Sequence, residues 1–212
     1  MTNPVMPYDT RKAAVKGPSG AEQSIFATTE ALLNTTPLSD LTVEEILQHA
    51  GVSRTTFYKK FASKYSVVSA MLKNLQAELV DIMRPWFADE QATPSAALRD
   101  AITAVAELWQ RHRPILRASS ENWHAEPEVG RPWTAMMARF VHDIAEKIDE
   151  ERLRGIAPAG VDSTALARTL VWSSERMLYL AGFGLCGDHR ELDVIDALVA
   201  TWVGTIYQSG GE

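Results

Sequence analysis

Cysteine is almost absent: Cys186 stands alone in 212 residues. One thiol excludes an internal disulfide and a cysteine-based zinc site, and it suits a reducing compartment. Strand signals are equally scarce, with no alternating Val/Ile/Thr run bounded by hairpin turns. Long apolar runs are missing too. The longest, Met177 to Cys186, contains two glycines and would cover about half a bilayer. Arg11, Lys12 and Lys16 are followed by no apolar stretch, so no signal peptide is expected. These absences predict a cytoplasmic protein without membrane contact. Enzyme signatures are lacking as well. No Ser-His-Asp or Cys-His order comes with a supporting motif, and there is no phosphate loop. His49, His112, His124, His142 and His189 show no metal spacing. No catalytic residue, metal or cofactor is therefore expected.

What is present is helical pattern. Hydrophobic residues make up 46% and charged residues 23%, ordinary for a chain with a real core. Apolar residues recur at spacings of three and four over long stretches, which predicts an all-α fold. The expected architecture is a three-helix helix-turn-helix domain plus a larger helical domain, about nine helices. Residues 1–18 read as a flexible basic arm, 19–65 as the helix-turn-helix unit, and 66–212 as a helical ligand-binding and dimerisation domain.

The first helix should run from near Ser19 to Asn34. Thr42 and Glu45 have capping-box spacing, and Gly51 supplies a left-handed turn that is cheap only for glycine. Ser53 should cap a helix from Arg54 to about Phe61, and Ser63 a longer one ended by Pro85. Thr93-Pro94 opens the next helix, which runs to about Arg111. A shorter one covers Pro114 to His124. A long helix starts at Pro127 or Pro132 and stops before Gly155. The next, capped by Asp162 or Ser163, reaches about Cys186, and the last spans about Arg190 to Gln208.

The net charge is -6, which by itself argues against nucleic acid. Its distribution argues for it. Ile46 to Ala77 contains no acid but holds Arg54, Lys59, Lys60, Lys64 and Lys73; Thr10 to Ala21 is also acid-free. Local field of this kind steers binding to phosphates. The helix after Gly51 offers Ser53, Arg54, Thr55, Thr56, Tyr58, Lys59 and Lys60 on one side. Val52, Phe57 and Phe61 form the apolar side that would dock on its own domain. Small hydroxyls and long cations suit base edges and phosphates.

The run GVSRTTFYKKFASK resembles the signature of TetR-type transcriptional regulators. The matching positions are Gly51, Val52, Ser53, Thr56, Phe57, Tyr58, Phe61, Ser63 and Lys64; Ala62 stands where many members have a turn former. The resemblance implies DNA contacts from Thr42, Ser53, Arg54, Thr55, Tyr58, Lys59 and Lys64. It implies phosphate roles for Tyr58 and Lys64, and base reading by Arg54 and Thr55. PWTAMMARFVHDIAEKIDEERLRG, SSERMLYL and ATWVGTIY look like segments of the mycobacterial EthR subgroup, whose members repress a monooxygenase gene and bind elongated apolar effectors in a tunnel. That likeness carries Trp133, Phe140, Ser174 and Trp202 to a pocket. Serine stands at 174 where the subgroup commonly has an amide.

All six tryptophans follow residue 85. Tryptophan favours sites where one edge meets a gap or a partner, and adaptable Met beside it suits an apolar pocket. The pocket candidates are Trp109, Trp133, Met137, Phe140, Ile144, Trp172, Ser174, Met177, Phe183 and Trp202. Leu166, Leu170, Leu180, Leu192, Ile195, Val199 and Ile206 give the last two helices apolar surface suited to a four-helix interface between two copies. Trp202 fits core, pocket or interface by pattern. The expected protein is a homodimeric repressor on double-stranded palindromic operator DNA, with one or several dimers per operator. A hydrophobic small-molecule effector would release it. The alternative is a regulator without effector whose rings are purely structural.

Overall fold

Caps set the boundaries of the chain's first helices. The computed structural model describes residues 19–88, 93–185 and 191–207, all helices and connections. The helices are α1 (Gly20–Leu32), α2 (Val43–Ala50), α3 (Arg54–Tyr58), α4 (Lys64–Phe87), α5 (Pro94–Arg111), α6 (Arg113–Asn122), α7 (Pro127–Leu153), α8 (Ser163–Gly182) and α9 (Glu191–Tyr207). The expected basic arm, residues 1–18, lies outside the described residues, as do Cys186 and the C-terminal tail.

At α2 the capping box forms as spaced. The Thr42 hydroxyl accepts from Glu45 N–H at 3.2 Å, and Thr42 N–H donates to Glu45 Oε2 at 2.8 Å. Gly51 then takes φ 64°, ψ 29°, the left-handed position that ends the helix. Ser53 caps α3 by accepting from Thr56 N–H at 3.1 Å. Thr93 and Asp162 cap α5 and α8 in the same way, and Gly155 turns the chain after α7 at φ 71°.

Pro85 does not end α4, contrary to expectation; the helix runs on to Phe87. Proline removes one N–H near the helix end, while Trp86, fully buried, pins the last turn. Its indole N–H donates to the Tyr207 hydroxyl of α9 at 2.9 Å, and its ring meets Trp202 edge-on at 6.3 Å. Helix α3 is shorter than expected, ending at Tyr58, although Phe61 N–H still bonds Phe57 C=O at 2.9 Å. Helix α8 stops at Gly182, short of Cys186.

Helices α1 to α3 pack around Ile25, Leu33, Leu38, Leu41, Ile46 and Phe57, all nearly without exposure. Helix α4 packs on α1 at one end and on α5, α6 and α7 along its length. Helices α7 and α8 form an antiparallel pair, with α9 against α5 and α8. No described helix is long and apolar enough to cross a membrane.

Candidate DNA reader and effector cavity

The reader is built by turning one face of α3 inward. Phe57 is fully buried and packs with Phe61 at 5.7 Å, and Phe61 in turn meets Phe26 of α1 at 5.7 Å. That anchors α3 and leaves Ser53, Arg54, Thr55, Tyr58, Lys59 and Lys60 exposed, with Thr56 half-buried. Tyr58 is the most conspicuous: an aromatic side chain with 48% exposure. Thr42 is exposed beside them at the start of α2. The Thr56 and Ser53 hydroxyls bond each other at 2.9 Å, so these two first shape the turn.

Three cations are not free. Arg54 pairs with Glu44 of α2, and Lys60 with Glu22 of α1 at 3.2 Å. The stretch that lacks acids in sequence is thus met by two carboxylates in space. Lys64 donates to the carbonyls of Ser39 at 2.6 Å and Leu41 at 2.7 Å. Two of its three donors therefore hold the α1–α2 connection. Glu45 sits below the usual carboxylate range because the Thr42 hydroxyl and then the Thr42 backbone N–H bond its charged form. The backbone N–H of Ser19 does the same, most strongly, for Glu22.

The second site is an apolar cavity of about 100 Å³ among α4 to α9. Leu79 and Met83 of α4, Ile102, Val105 and Trp109 of α5, and Leu116 of α6 form one side. Trp133, Met136, Met137, Phe140 and Ile144 of α7 form another; Val171, Ser174, Glu175 and Leu178 of α8 and Leu198 and Trp202 of α9 close it. Seven of the ten expected pocket residues are in this wall: Trp109, Trp133, Met137, Phe140, Ile144, Ser174 and Trp202. Trp172, Met177 and Phe183 are not. Trp172 packs on Trp123 at 5.9 Å, Met177 is half-buried beside the core, and Phe183 meets Tyr179 at a tilt, 5.0 Å away, beyond the helix end. The reason is rotation. Cavity positions 171, 174, 175 and 178 repeat at helical spacing, and one step along a helix turns a side chain by roughly 100°.

Four polar side chains belong to this wall. Trp202 N–H donates to Ser174 Oγ at 2.9 Å. Glu175, buried and unforeseen in the sequence, accepts from Ser120 at 2.6 Å and faces Arg176 at 3.7 Å. Trp133 N–H is buried with no acceptor.

The expected dimer residues need correcting. Leu166, Leu170, Ile195, Val199 and Ile206 are at most 7% exposed within the protomer, so they are core. They share the inward face of α8 and α9 with the cavity residues. Leu180 is half-buried, and the Leu192 side chain lies outside the described residues. Thr164, Ala165, Arg168, Thr169, Ser173 and Arg176 of α8, with Asp193, Asp196, Ala197, Ala200, Thr201 and Thr205 of α9, are what those helices expose among the described residues.

The histidines also hold one grouping that their spacing did not suggest. His142, Asp143 and Glu146 bring donor atoms within 4.8 Å on the surface of α7. Asp143 is paired with Arg139 at 2.8 Å and His142 faces Glu146 at 3.3 Å, so ion pairing already accounts for them.

Comparison with known proteins decides the family. The model for bacterial regulatory proteins of the tetR family matches residues 25–71, and that for the C-terminal domain of the transcriptional regulator EthR matches residues 98–208. The chain belongs to the TetR family. The HTH-type transcriptional regulator EthR of Mycobacterium tuberculosis is 33% identical over 90% of this chain and 89% of its own length. EthR of Mycolicibacterium smegmatis is 27% identical over 93% and 91%. In fold, the fatty acid degradation regulator FadR of Bacillus halodurans superposes with a TM-score of 0.76 at 13% identity, over 89% of this chain and 97% of that one. As a TetR-family member the protein is a DNA-binding transcriptional regulator of helix-turn-helix type, and not an enzyme.

Proposed function

We propose that this regulator is a repressor. It binds a near-palindromic operator as a homodimer and leaves it when an apolar molecule occupies the cavity. One observation carries the reading. Helix α4 is continuous, with Lys64 at the reader and Leu79 and Met83 in the cavity wall. A change in the cavity that tilts α4 necessarily moves the reader's edge. On this reading residues 19–65 are the reader, 66–212 the sensing and pairing domain, and the basic arm adds contacts outside the α3 groove.

In DNA the exposed face of α3 enters the major groove. Ser53, Arg54 and Thr55 at its start meet base edges, while Thr42, Tyr58, Lys59 and Lys60 meet phosphates. Lys64 has one donor left for a phosphate, at a helix N-terminus that favours anions. Dimerisation brings the exposed faces of α8 and α9 against their symmetry mates. Ala165, Thr169, Ala197 and Ala200 are small enough for close approach.

The cavity supports the effector half of the reading. Its wall is largely apolar, and its unmet donors are the Trp133 N–H and the Ser174 O–H, with the buried Glu175 carboxylate beside them. An effector that fits is therefore apolar with an acceptor oxygen. At about 100 Å³ the space is well below the roughly 300 Å³ at which drug-sized ligands are usually held. Binding must then open it, and Met83, Met136 and Met137 are side chains that can move. An opened state that holds the readers at the wrong spacing for DNA is a population shift with differential affinity for the two states. The small volume is also the observation that favours the second reading, a regulator whose rings only fill its core.

Fluorescence anisotropy with labelled DNA from upstream of its own gene tests the first part. The expected result is binding by the dimer that weakens as salt rises. A dimer with no salt-dependent affinity for any such fragment would sink it. Thermal shift and tryptophan quenching with apolar ketones, esters and ethers separate the two effector readings. Silence from every compound favours the second.

A further inference from the structure

A second cleft lies away from the apolar cavity, between the end of α1, the start of α6 and the end of α8. It has a volume of about 500 Å³ and is lined by Asn34, Arg113, Pro114, Arg117, Phe183 and two glycines. No acid lines it among the described residues. Arg113 makes no hydrogen bond or ion pair among the described residues, and its Nε is buried without an acceptor. Arg117, one turn further along α6, donates from Nη2 to Leu33 C=O at 2.8 Å. Its guanidinium lies over the Phe183 ring at 5.4 Å, and its Nε is also buried without a hydrogen bond, 4.0 Å from Glu121. Gly182 makes the arrangement possible: a Cβ there would stand 3.2 Å from Arg113 Nε.

Arg113 rests against the last turn of α8, where a cation suits the helix dipole. That places the charge but leaves the buried Nε without an acceptor, and buried donors without partners are rare enough to require an explanation. Two guanidinium groups, an aromatic ring and an amide around one cleft suit an oxyanion on an apolar body. Arginine forks match a carboxylate or a phosphate with paired hydrogen bonds. We infer that this cleft binds a small organic oxyanion, its head on Arg113 and Arg117 and its apolar body against Phe183 and Pro114. Neither arginine lines the effector cavity itself; a small pocket walled by Trp109, Arg113, Leu178 and Gly182 lies between the two.

Calorimetric titration of the full-length protein with benzoate, phenyl phosphate and the neutral isostere benzamide tests this. Saturable binding of benzoate or phenyl phosphate is expected, with at least tenfold weaker binding by benzamide; the tighter of the two acids assigns the headgroup. Arg113→Gln should weaken the anion at least tenfold while lowering the unliganded melting temperature only slightly, since Arg113 has no hydrogen-bond or ion-pair partner to lose among the described residues. Gly182→Ala, which pushes on Arg113 without removing it, should weaken binding less. No saturable binding by either acid, or anion binding unchanged in Arg113→Gln, overturns the proposal.

Discussion

The reader and the cavity use aromatic rings in opposite ways. In the reader, Phe57, Phe61 and Phe26 pack into a filled core, and chemistry is left to short hydroxyls and cations on the outside. Around the cavity, Trp109, Trp133, Phe140 and Trp202 surround space, and the chemistry points inward. The first arrangement fixes one shape. The second leaves a shape that can change. A rigid surface suits reading DNA, and a region that can yield suits the proposed response to a small molecule.

The sharpest test of this contrast removes a ring from the filled side. Phe57→Ala should cost about 3–5 kcal/mol, lowering the melting temperature and abolishing DNA binding together. Overfilling gives the next largest effect. Ile46→Trp, in a core with no space, should cost about 1–3 kcal/mol or more. Ile144→Trp faces the cavity and should cost less than that, while blunting any response to effector. Equal losses at the two sites in urea melts would erase the distinction.

Arg54→Ala acts on the reader's surface without touching its core. Its melting point should stay put, while operator affinity falls by about 1–3 kcal/mol if the side chain reads a base, measured by anisotropy on specific and scrambled DNA. Thr42→Ala should cost about 1 kcal/mol through the lost cap. Its partner Glu45 has its carboxyl lowered on folding. The stability it lends is therefore fully present above its unfolded value and lost as pH falls through the folded one. Urea melts across the acid range should show Glu45→Gln with a flatter decline than the parent. The smallest effect belongs to the cavity wall. Trp133→Phe removes an N–H that has no acceptor and should change stability by less than about 1 kcal/mol in either direction.

The helix-turn-helix was legible because its signals are local. Thr42 with Glu45, Gly51, and Ser53 with Thr56 each act within a few residues, and each appears as spaced. Pro85 misled because the local rule was overruled by distant contacts of Trp86 with Tyr207 and Trp202. Glu22 and Glu44 were invisible for a similar reason: they come from α1 and α2, outside the window that looked purely basic. Periodicity found the inward faces of α8 and α9 but could not say whose interior they face. Leu166, Leu170, Ile195, Val199 and Ile206 turned out to fill their own protomer. Trp172 and Met177 failed as cavity residues by one residue of helical phase.

The Glu44–Arg54 pair has a thermodynamic consequence for the reader. A lysine or arginine that reaches a phosphate from open water releases condensed counterions, and each such contact adds roughly 0.9 to the slope of log affinity against log salt. Arg54 begins with a carboxylate already beside it, so its transfer to DNA exchanges one ion pair for another and leaves Glu44 to recruit a cation of its own. The ion count on the two sides nearly balances. The reader's affinity for DNA should then depend on ionic strength less than its row of basic residues suggests.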